Sequence, residues 1–455
     1  MSILTLSFAA TAMQASLKGQ DCVFTGVKTD SRQVVAGDLF VALPGARVDG
    51  HDYIAEAKER GAVGAVISRP VETTLPIIQV PNTVVALGSL AKTYRAQFQI
   101  PCVAITGSCG KTTVKEMLSC ILALQGPVLS TQGNLNTEVG VPLTLMRLLP
   151  EHQLAVIEMG ARQKGDIAYL MSLATPRVSL ITNAGIAHVE IFGTEQGIAE
   201  AKGEIFESLP SDGVAVINAD DPHADYWKGL LKSGQKIITF GSQAKADVVG
   251  SKIKLEPSAS YFELITDIGS AEIHLSVPGA HMIQNALAAA AAARALGVSL
   301  SDIKAGLEQF VPVSGRLQLK RGVAGVSIID DSYNANPVSM RAALSVLANT
   351  PGQKIFVMGD MFELGSHALE LHREMGRVAH ELGIHRLLGV GALTAAAVQS
   401  FGIGAVHYPD RASLIQDLRQ NLNRDTTVLV KGSFSMRMTE VVLALTTDCQ
   451  EENPC

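Results

Sequence analysis

Residues 101–115, PCVAITGSCGKTTVK, carry the side chains best spaced for chemistry in this sequence. An apolar run, Val103-Ala104-Ile105, stops at Thr106-Gly107. Ser108-Cys109-Gly110 follow, and Lys111-Thr112-Thr113 open a stretch patterned as a helix to residue 124. Strand, glycine loop, Lys-Thr and helix is the order that a phosphate cradle requires. Glycines let backbone N–H groups turn toward an anion, and the helix N-terminus adds partial positive charge. Lys111 is placed to neutralise outer phosphates, and the Thr112 hydroxyl to ligate magnesium. The full pattern G-x4-G-K-[ST] asks for glycine where this chain has Ile105, so the loop is a shortened variant. Residues Gly107, Ser108, Cys109, Gly110, Lys111, Thr112 and Thr113 are therefore expected to hold a nucleotide's phosphates.

The elements that must position this loop are α/β in type. At 455 residues, the chain is long enough for about three domains. A hydrophobic content of 47% with 18% charged residues fits a well-cored protein. A net charge of −6 argues against a nucleic-acid partner, which selects a basic face. Six cysteines, at 22, 102, 109, 120, 449 and 455, form no C-x-x-C pair, which suits reduced thiols in a cytoplasmic protein. The N-terminal stretch lacks a basic n-region and is expected to form a first strand and helix. No apolar run is long enough for a membrane span.

The first unit, 1–99, is expected to be a small α/β domain with strands at 23–25, 39–42 and 62–68 and helices at 53–60 and 84–98. The second, 100–312, has strands expected at 103–106, 154–158, 178–182, 214–218 and 236–240, alternating with helices. That alternation implies a mostly parallel sheet with helices on both faces, and with the phosphate loop after its first strand the unit is expected to be a P-loop-type ATPase domain. An antiparallel patch at 246–277 precedes a helix expected over 285–296. The third unit, 313–455, has strands expected at 326–330, 354–358, 386–390, 406–408 and 427–430, a Rossmann-like doubly wound pattern.

In such sheets ligands bind beyond the carboxyl ends of the strands. Glu158 ends one strand there and suits sharing a magnesium ion with Thr112. His188 follows another strand; its spacing suits either a second metal ligand or a hydrogen-bonded structural histidine. Asn134, Asn136 and Thr137 belong to a glycine- and amide-rich loop that suits a polar substrate or a solvated turn. The clusters at 29–32 and 46–52 read alone as solvated loops. Lys202, by spacing alone, reads as a solvated lysine on a helix.

Several segments occur in one order along nearly the whole chain: TGSCGKTT (106–113), TQGNLNTEVGVP (131–142), VIEMG (156–160), HVEIFG (188–193) and AKGEI (201–205). His281-x-x-x-Asn285, Gly315-Arg316, DDSYNANP (330–337) and KGS (431–433) complete the series. Together they resemble the Mur ligases of peptidoglycan synthesis, whose own phosphate loop has this shortened form. Within that family, DDSYNANPVS, TDSR (29–32) and RVDGHD (47–52) resemble the branch that adds D-alanyl-D-alanine to UDP-N-acetylmuramoyl-tripeptide.

The resemblance implies an ATP-dependent amide ligase working through an acyl phosphate, in the cytoplasm and as a monomer. It implies that Lys111 holds the outer phosphates and that Thr112, Glu158, His188 and Lys202 organise two Mg²⁺ ions, with Lys202 carbamylated. It places Asn285, Arg316 and Asp331 on ATP, and Asn334 and Asn336 near the nucleotide and incoming dipeptide. Ser31, Arg32, Arg47, Asp49 and His51 would grip the UDP-sugar. Whether residue three of the peptide is lysine or diaminopimelate is left open.

Overall fold

The computed structural model describes residues 4–45, 48–185 and 189–446. Arg47 and His188 lie outside the described residues. Three sheets follow one another along the chain.

The first sheet has the order β1-β5-β4-β3-β2. Its strands are β1 (Leu17–Lys18), β2 (Gly26–Lys28), β3 (Asp38–Val41), β4 (Gly64–Ile67) and β5 (Ile77–Gln79). All pairings are parallel except β1 on β5. Two expectations fail here. Among the described residues the first element is a helix, Leu6–Ala12, capped by the Thr5 side chain, and the first strand comes after it. Residues 23–25 form no ladder; Val23 makes a single bridge to Thr5, and the strand begins at Gly26. The Phe24 and Thr25 amides donate to Leu4 and Gly37 carbonyls, which turns this segment away from the sheet edge.

The second sheet has nine strands in the order β14-β13-β12-β11-β10-β9-β6-β8-β7. They are β6 (Cys102–Thr106), β7 (Val128–Ser130), β8 (Leu154–Glu158), β9 (Val178–Ile181), β10 (Val214–Asn218), β11 (Lys236–Gly241), β12 (Val248–Leu255), β13 (Ser260–Thr266) and β14 (Gly269–Leu275). Strands β7 to β12 pair in parallel, and β13 and β14 continue antiparallel. Because successive side chains alternate faces, β6 sends Val103 and Ile105 to one side and Cys102 and Ala104 to the other. The helices Lys111–Ala123 and Ala280–Ala295 cover the first face; Asp166–Ala174 and Glu195–Glu207 cover the second. Helix 280–295 begins five residues earlier than the alanine run suggested, because Gly279, at φ 111°, serves as its N-cap.

The third sheet, β15-β16-β20-β17-β18-β19, is doubly wound. Its strands are β15 (Gln318–Arg321), β16 (Ser327–Asp330), β17 (Gln353–Gly359), β18 (Arg386–Val390), β19 (Ala405–Tyr408) and β20 (Thr426–Lys431). Helices Pro337–Ala348, Ala368–Glu381 and Thr394–Phe401 pack on one face; Arg411–Asn421 and Thr439–Thr446 pack on the other.

The sheets share cores. Helix Thr83–Arg95 packs its Leu87, Leu90 and Tyr94 with Leu145, Leu170 and Leu173 of the second unit. Its buried Arg95 donates to the carbonyls of Phe98, Ile100 and Ala174, stapling the connection between the first two sheets. Met340, Leu344 and Val346 of helix 337–348 join the cluster that holds helix 280–295.

Candidate active site

The phosphate loop is held by close packing at both of its glycines. Gly107 has φ 149°, and an added Cβ would collide with the Thr182 hydroxyl; Gly110 has φ 82° and would collide with Asn285 Oδ1. Neither backbone conformation suits an L side chain. The loop then rests on the segment after β9. Ser108 N–H donates to the Asn183 carbonyl (2.9 Å), and Ser108 Oγ to the Gly185 carbonyl (2.7 Å). Cys109 N–H donates to Asn183 Oδ1 (3.1 Å), while Thr182 Oγ1 and Asn183 Nδ2 donate to the Cys109 carbonyl. That segment is braced in turn by Asn218, which donates to the Thr182 carbonyl, and by Asp221, which accepts from Ala184 N–H.

Gly110 is the N-cap of helix 111–123, with no side chain filling the cap. The Lys111 ammonium donates to the Gly107 carbonyl at 2.7 Å. Burial lowers its pKa, against the opposing pull of Glu158. Thr112 and Thr113 are both buried on the inner side of the helix. Thr112 Oγ1 donates to Glu158 Oε2 at 2.9 Å, and Asn136 Nδ2 donates to Glu158 Oε1 at 2.8 Å. Glu158 is only 2% exposed, so its carboxylate is aimed by these two donors. Of the polar loop 131–142, Asn136 thus reaches the site. Asn134 is exposed and offers its carbonyl to Asn136 N–H; Thr137 offers its carbonyl to Val141 N–H.

Lys202 is 5% exposed, which overturns the reading from spacing alone of a solvated helical lysine. Burial, helped by the neighbouring Lys111 charge, pushes its pKa down to about 7. Burying the charged ammonium is costly, and the lowered pKa is how that cost shows.

The third unit reaches the same place. Asn336 caps helix 337–348, accepting Ser339 N–H at 2.8 Å, and its amide lies 3.1–3.2 Å from Cys109 Sγ. Arg316 stacks its guanidinium over the Tyr333 ring at 4.3 Å and is close enough to oppose the Lys111 charge. Asp331 accepts from Leu317 N–H (3.1 Å) and from the buried Lys431 ammonium (2.5 Å). Lys431 also donates to the Asn334 carbonyl at 2.9 Å. The ring of His281, on helix 280–295, feels both Asp331 and Lys431; burial pushes its pKa down to about 4. Asn285 is buried against Gly110.

The first-unit residues make their contacts in their own loops. Ser31 Oγ donates to Glu56 (2.7 Å), and Arg32, 78% exposed, pairs with Asp30 through two nitrogens. The buried His51 ring bonds Asp49 through Nδ1 (2.6 Å) and accepts Ser68 N–H at Nε2 (2.8 Å), so both its nitrogens are occupied. His51 and Arg69 hold Asp49 at a pKa of about 2. His51 therefore braces the 48–52 turn.

Sequence reasoning gave no role to Lys115 or Thr182, and placed Thr131, Asp221 and Lys431 in polar segments without naming them as supports of the site. Lys115 had a readable signal: it lies four residues after Lys111, on the stripe that continues through Leu118 and Leu122. The hard-oxygen pair Thr112–Glu158 suits Mg²⁺, which takes one or two carboxylates plus phosphate oxygens and water. Among the described residues no three His, Cys, Asp or Glu side chains cluster as a metal cage.

A glycine loop on a parallel sheet, closed over by polar loops from a doubly wound unit, defines a nucleotide-dependent enzyme with its site between two α/β units. Comparison with known proteins narrows the class. Residues 23–95 match the family model "Mur ligase family, catalytic domain", 105–293 the "Mur ligase middle domain" and 315–434 the "Mur ligase, glutamate ligase domain". The UDP-N-acetylmuramoyl-tripeptide–D-alanyl-D-alanine ligase of Escherichia coli (strain K12) is 42% identical over 458 residues, covering 100% of both chains. A crystal structure of MurF from Acinetobacter baumannii superposes with a TM-score of 0.91 at 36% identity, covering 99% of this chain and 100% of that one. MurF ligase from Thermotoga maritima in complex with ADP gives a TM-score of 0.82 at 29% identity, covering 94% and 98%. The chain belongs to the Mur ligase family.

Proposed function

We infer that the chain joins D-alanyl-D-alanine to UDP-N-acetylmuramoyl-tripeptide at the expense of ATP, releasing ADP and phosphate and completing the pentapeptide precursor of peptidoglycan. The carrying observation is the assembled site itself. Lys111, Thr112, Glu158 and Lys202 converge on one phosphate loop, in a chain that matches the E. coli ligase end to end.

The reaction activates the tripeptide's terminal carboxylate as an acyl phosphate, which the dipeptide amine then attacks. The backbone amides at the N-terminus of helix 111–123, uncapped by any side chain, and the Lys111 ammonium bind the β- and γ-phosphates and stabilise the charge that develops as the γ-phosphoryl group moves. Thr112 and Glu158 would hold a Mg²⁺ ion, which when bound neutralises charge on the transferring phosphate. His188 is assigned to a second ion on resemblance alone. Lys202 is assigned the carbamate. With its pKa near 7 the amine is about half neutral at pH 7, the form that adds CO₂, and the anion produced would face Lys111 attractively.

Asn285, Arg316 and Asp331 are assigned to ATP, and Asn334 and Asn336 to the face toward nucleotide and dipeptide. Residues 1–99, with Ser31, Arg32, Arg47 and Asp49, are assigned to the UDP-sugar, 100–312 to ATP and 313–455 to the amino substrate and closure. Asn134, Asn136 and Thr137 line the approach of the tripeptide. Closure of the third unit over the second excludes the water that would hydrolyse an acyl phosphate. ATP and a UDP-linked substrate place the work in the cytoplasm. No helix among the described residues is long and apolar enough to cross a membrane.

The test is phosphate release from Mg·ATP with the UDP-tripeptide, with and without D-alanyl-D-alanine. Sustained release that requires both substrates is expected. Equal release with single amino acids in place of the dipeptide would move the chain to another ligase branch.

A further inference from the structure

The reaction just assigned makes no use of one fully buried charge. Lys115 lies on helix 111–123, one turn beyond Lys111, and is 1% exposed. Its ammonium donates to the Thr131 carbonyl at 2.5 Å and pairs with Glu116 Oε1 at 2.7 Å. Thr131 is itself buried and directs its other groups at Glu158 and its strand: Thr131 Oγ1 accepts the Glu158 N–H (3.0 Å), and Thr131 N–H donates to the Val156 carbonyl. Five residues on, Asn136 donates to the Glu158 carboxylate. Lys115 thus sits at the root of a loop that touches Glu158 twice, once at its backbone and once at its side chain. A buried ammonium donating to a single backbone carbonyl fixes that carbonyl strongly, since charge-assisted hydrogen bonds are about twice as strong as neutral ones.

We propose that Lys115 is a positioning residue that ties the phosphate-loop helix to the 131–136 loop and so sets the direction of the Glu158 carboxylate. The nucleotide side and the tripeptide side of the site are thereby linked through one side chain. The proposal rests on the reading that Glu158 serves the nucleotide's metal.

The experiment compares the full-length enzyme with Lys115→Met, which keeps the length and apolar stem and removes the ammonium. Backbone hydrogen exchange is expected to speed up over 131–136 and at the Glu158 amide, and to stay unchanged over 107–110. The magnesium concentration for half-maximal phosphate release and the KM for UDP-tripeptide are both expected to rise about tenfold. Thr131→Val, which removes only the hydroxyl that accepts the Glu158 amide, is expected to raise the same KM and to be non-additive with Lys115→Met. Uniformly faster exchange across the second sheet, or additive effects of the two changes, would overturn the proposal and leave Lys115 a packing residue. Glu158→Gln, run in parallel, separates the two readings. If it leaves the magnesium dependence of phosphate release unchanged, the role of Glu158 fails, whereas exchange at its amide still decides the role of Lys115.

Discussion

Gly107 and Lys202 are the two residues whose surroundings dictate the sharpest outcomes. At Gly107 the backbone conformation and the Thr182 hydroxyl both exclude a side chain. Gly107→Ala is expected to weaken ADP binding by about tenfold or more, because the loop amides must rotate to admit the methyl group. Calorimetric titration with Mg·ADP measures it. Lys202→Ala is expected to lower kcat by about a hundredfold or more, with ADP affinity kept, if the side chain acts on charge that develops only during transfer. Product formation at saturating substrates, beside an ADP titration, checks both halves.

His372 gives a pH-dependent outcome. Its ring is buried, with Nδ1–H donating to the Ala368 carbonyl (2.6 Å) and Nε2 accepting Met361 N–H (3.0 Å), so only the neutral form fits. Burial lowers its pKa from the ordinary value of 6.5. The unfolded chain then binds the extra proton first, so this contribution is fully present above pH 6.5 and declines as pH falls below it. His372→Gln is expected to lower Tm most at neutral pH and least toward pH 5; a constant difference across that range would count against the assignment.

Among elements, helix 337–348 carries two tasks at its first turn. Asn336 closes a capping box with Ser339 and presents its amide to Cys109 of the phosphate loop. The two tasks separate by substitution. Asn336→Asp keeps an N-cap acceptor and should hold Tm, while a carboxylate set against the phosphate loop should lower kcat. Asn336→Ala removes the cap as well, at a cost of about 1 kcal/mol. Thermal melts of the two variants beside their kcat values make the comparison. Pro337 and the cap residue mark this helix start from sequence, but the contact with Cys109 joins positions 227 residues apart and has no local signature.

At the scale of the whole molecule, the third unit lies against the second through small, close contacts. Val338 meets Gly185, Val346 meets Gly279, and Gly365 meets Glu190. Gly185 also accepts from Ser108 of the phosphate loop, so the face of the third unit and the loop share one support. Val338→Asp is expected to lower kcat by about tenfold to a hundredfold, since small misplacements of reacting groups cost that much, while ADP affinity stays within about threefold. An equal loss of ADP affinity would mean that the change damages the second unit itself.

Much of the frame was legible in the sequence because it is local. The phosphate loop follows from glycines, Lys111 and Thr112 at fixed spacing, and the parallel strands β6, β8, β9, β10 and β11 follow from short apolar runs between helices. Short edge strands such as β1 and β7 carry too few residues to show a period, and 23–25 looked like a strand because Val, Phe and Thr favour one, whereas only a single bridge from Val23 to Thr5 forms there. Lys115 and Lys202 are the clearest cases that only the tertiary structure decided. Each is a lysine on a helix: spacing alone makes Lys202 solvated, and the stripe that Lys115 shares with Leu118 and Leu122 points to burial without naming its partner. Burial depends on what other segments place over them: the 131 loop in one case, the sheet and Lys111 in the other. Likewise the 46–52 cluster read alone as a solvated loop, and folding buries the His51 ring and gives its two nitrogens to Asp49 and Ser68. Type and spacing name the chemistry a residue has available. Which groups are desolvated, and therefore which charges are shifted or fixed, depends on contacts between distant parts of the chain.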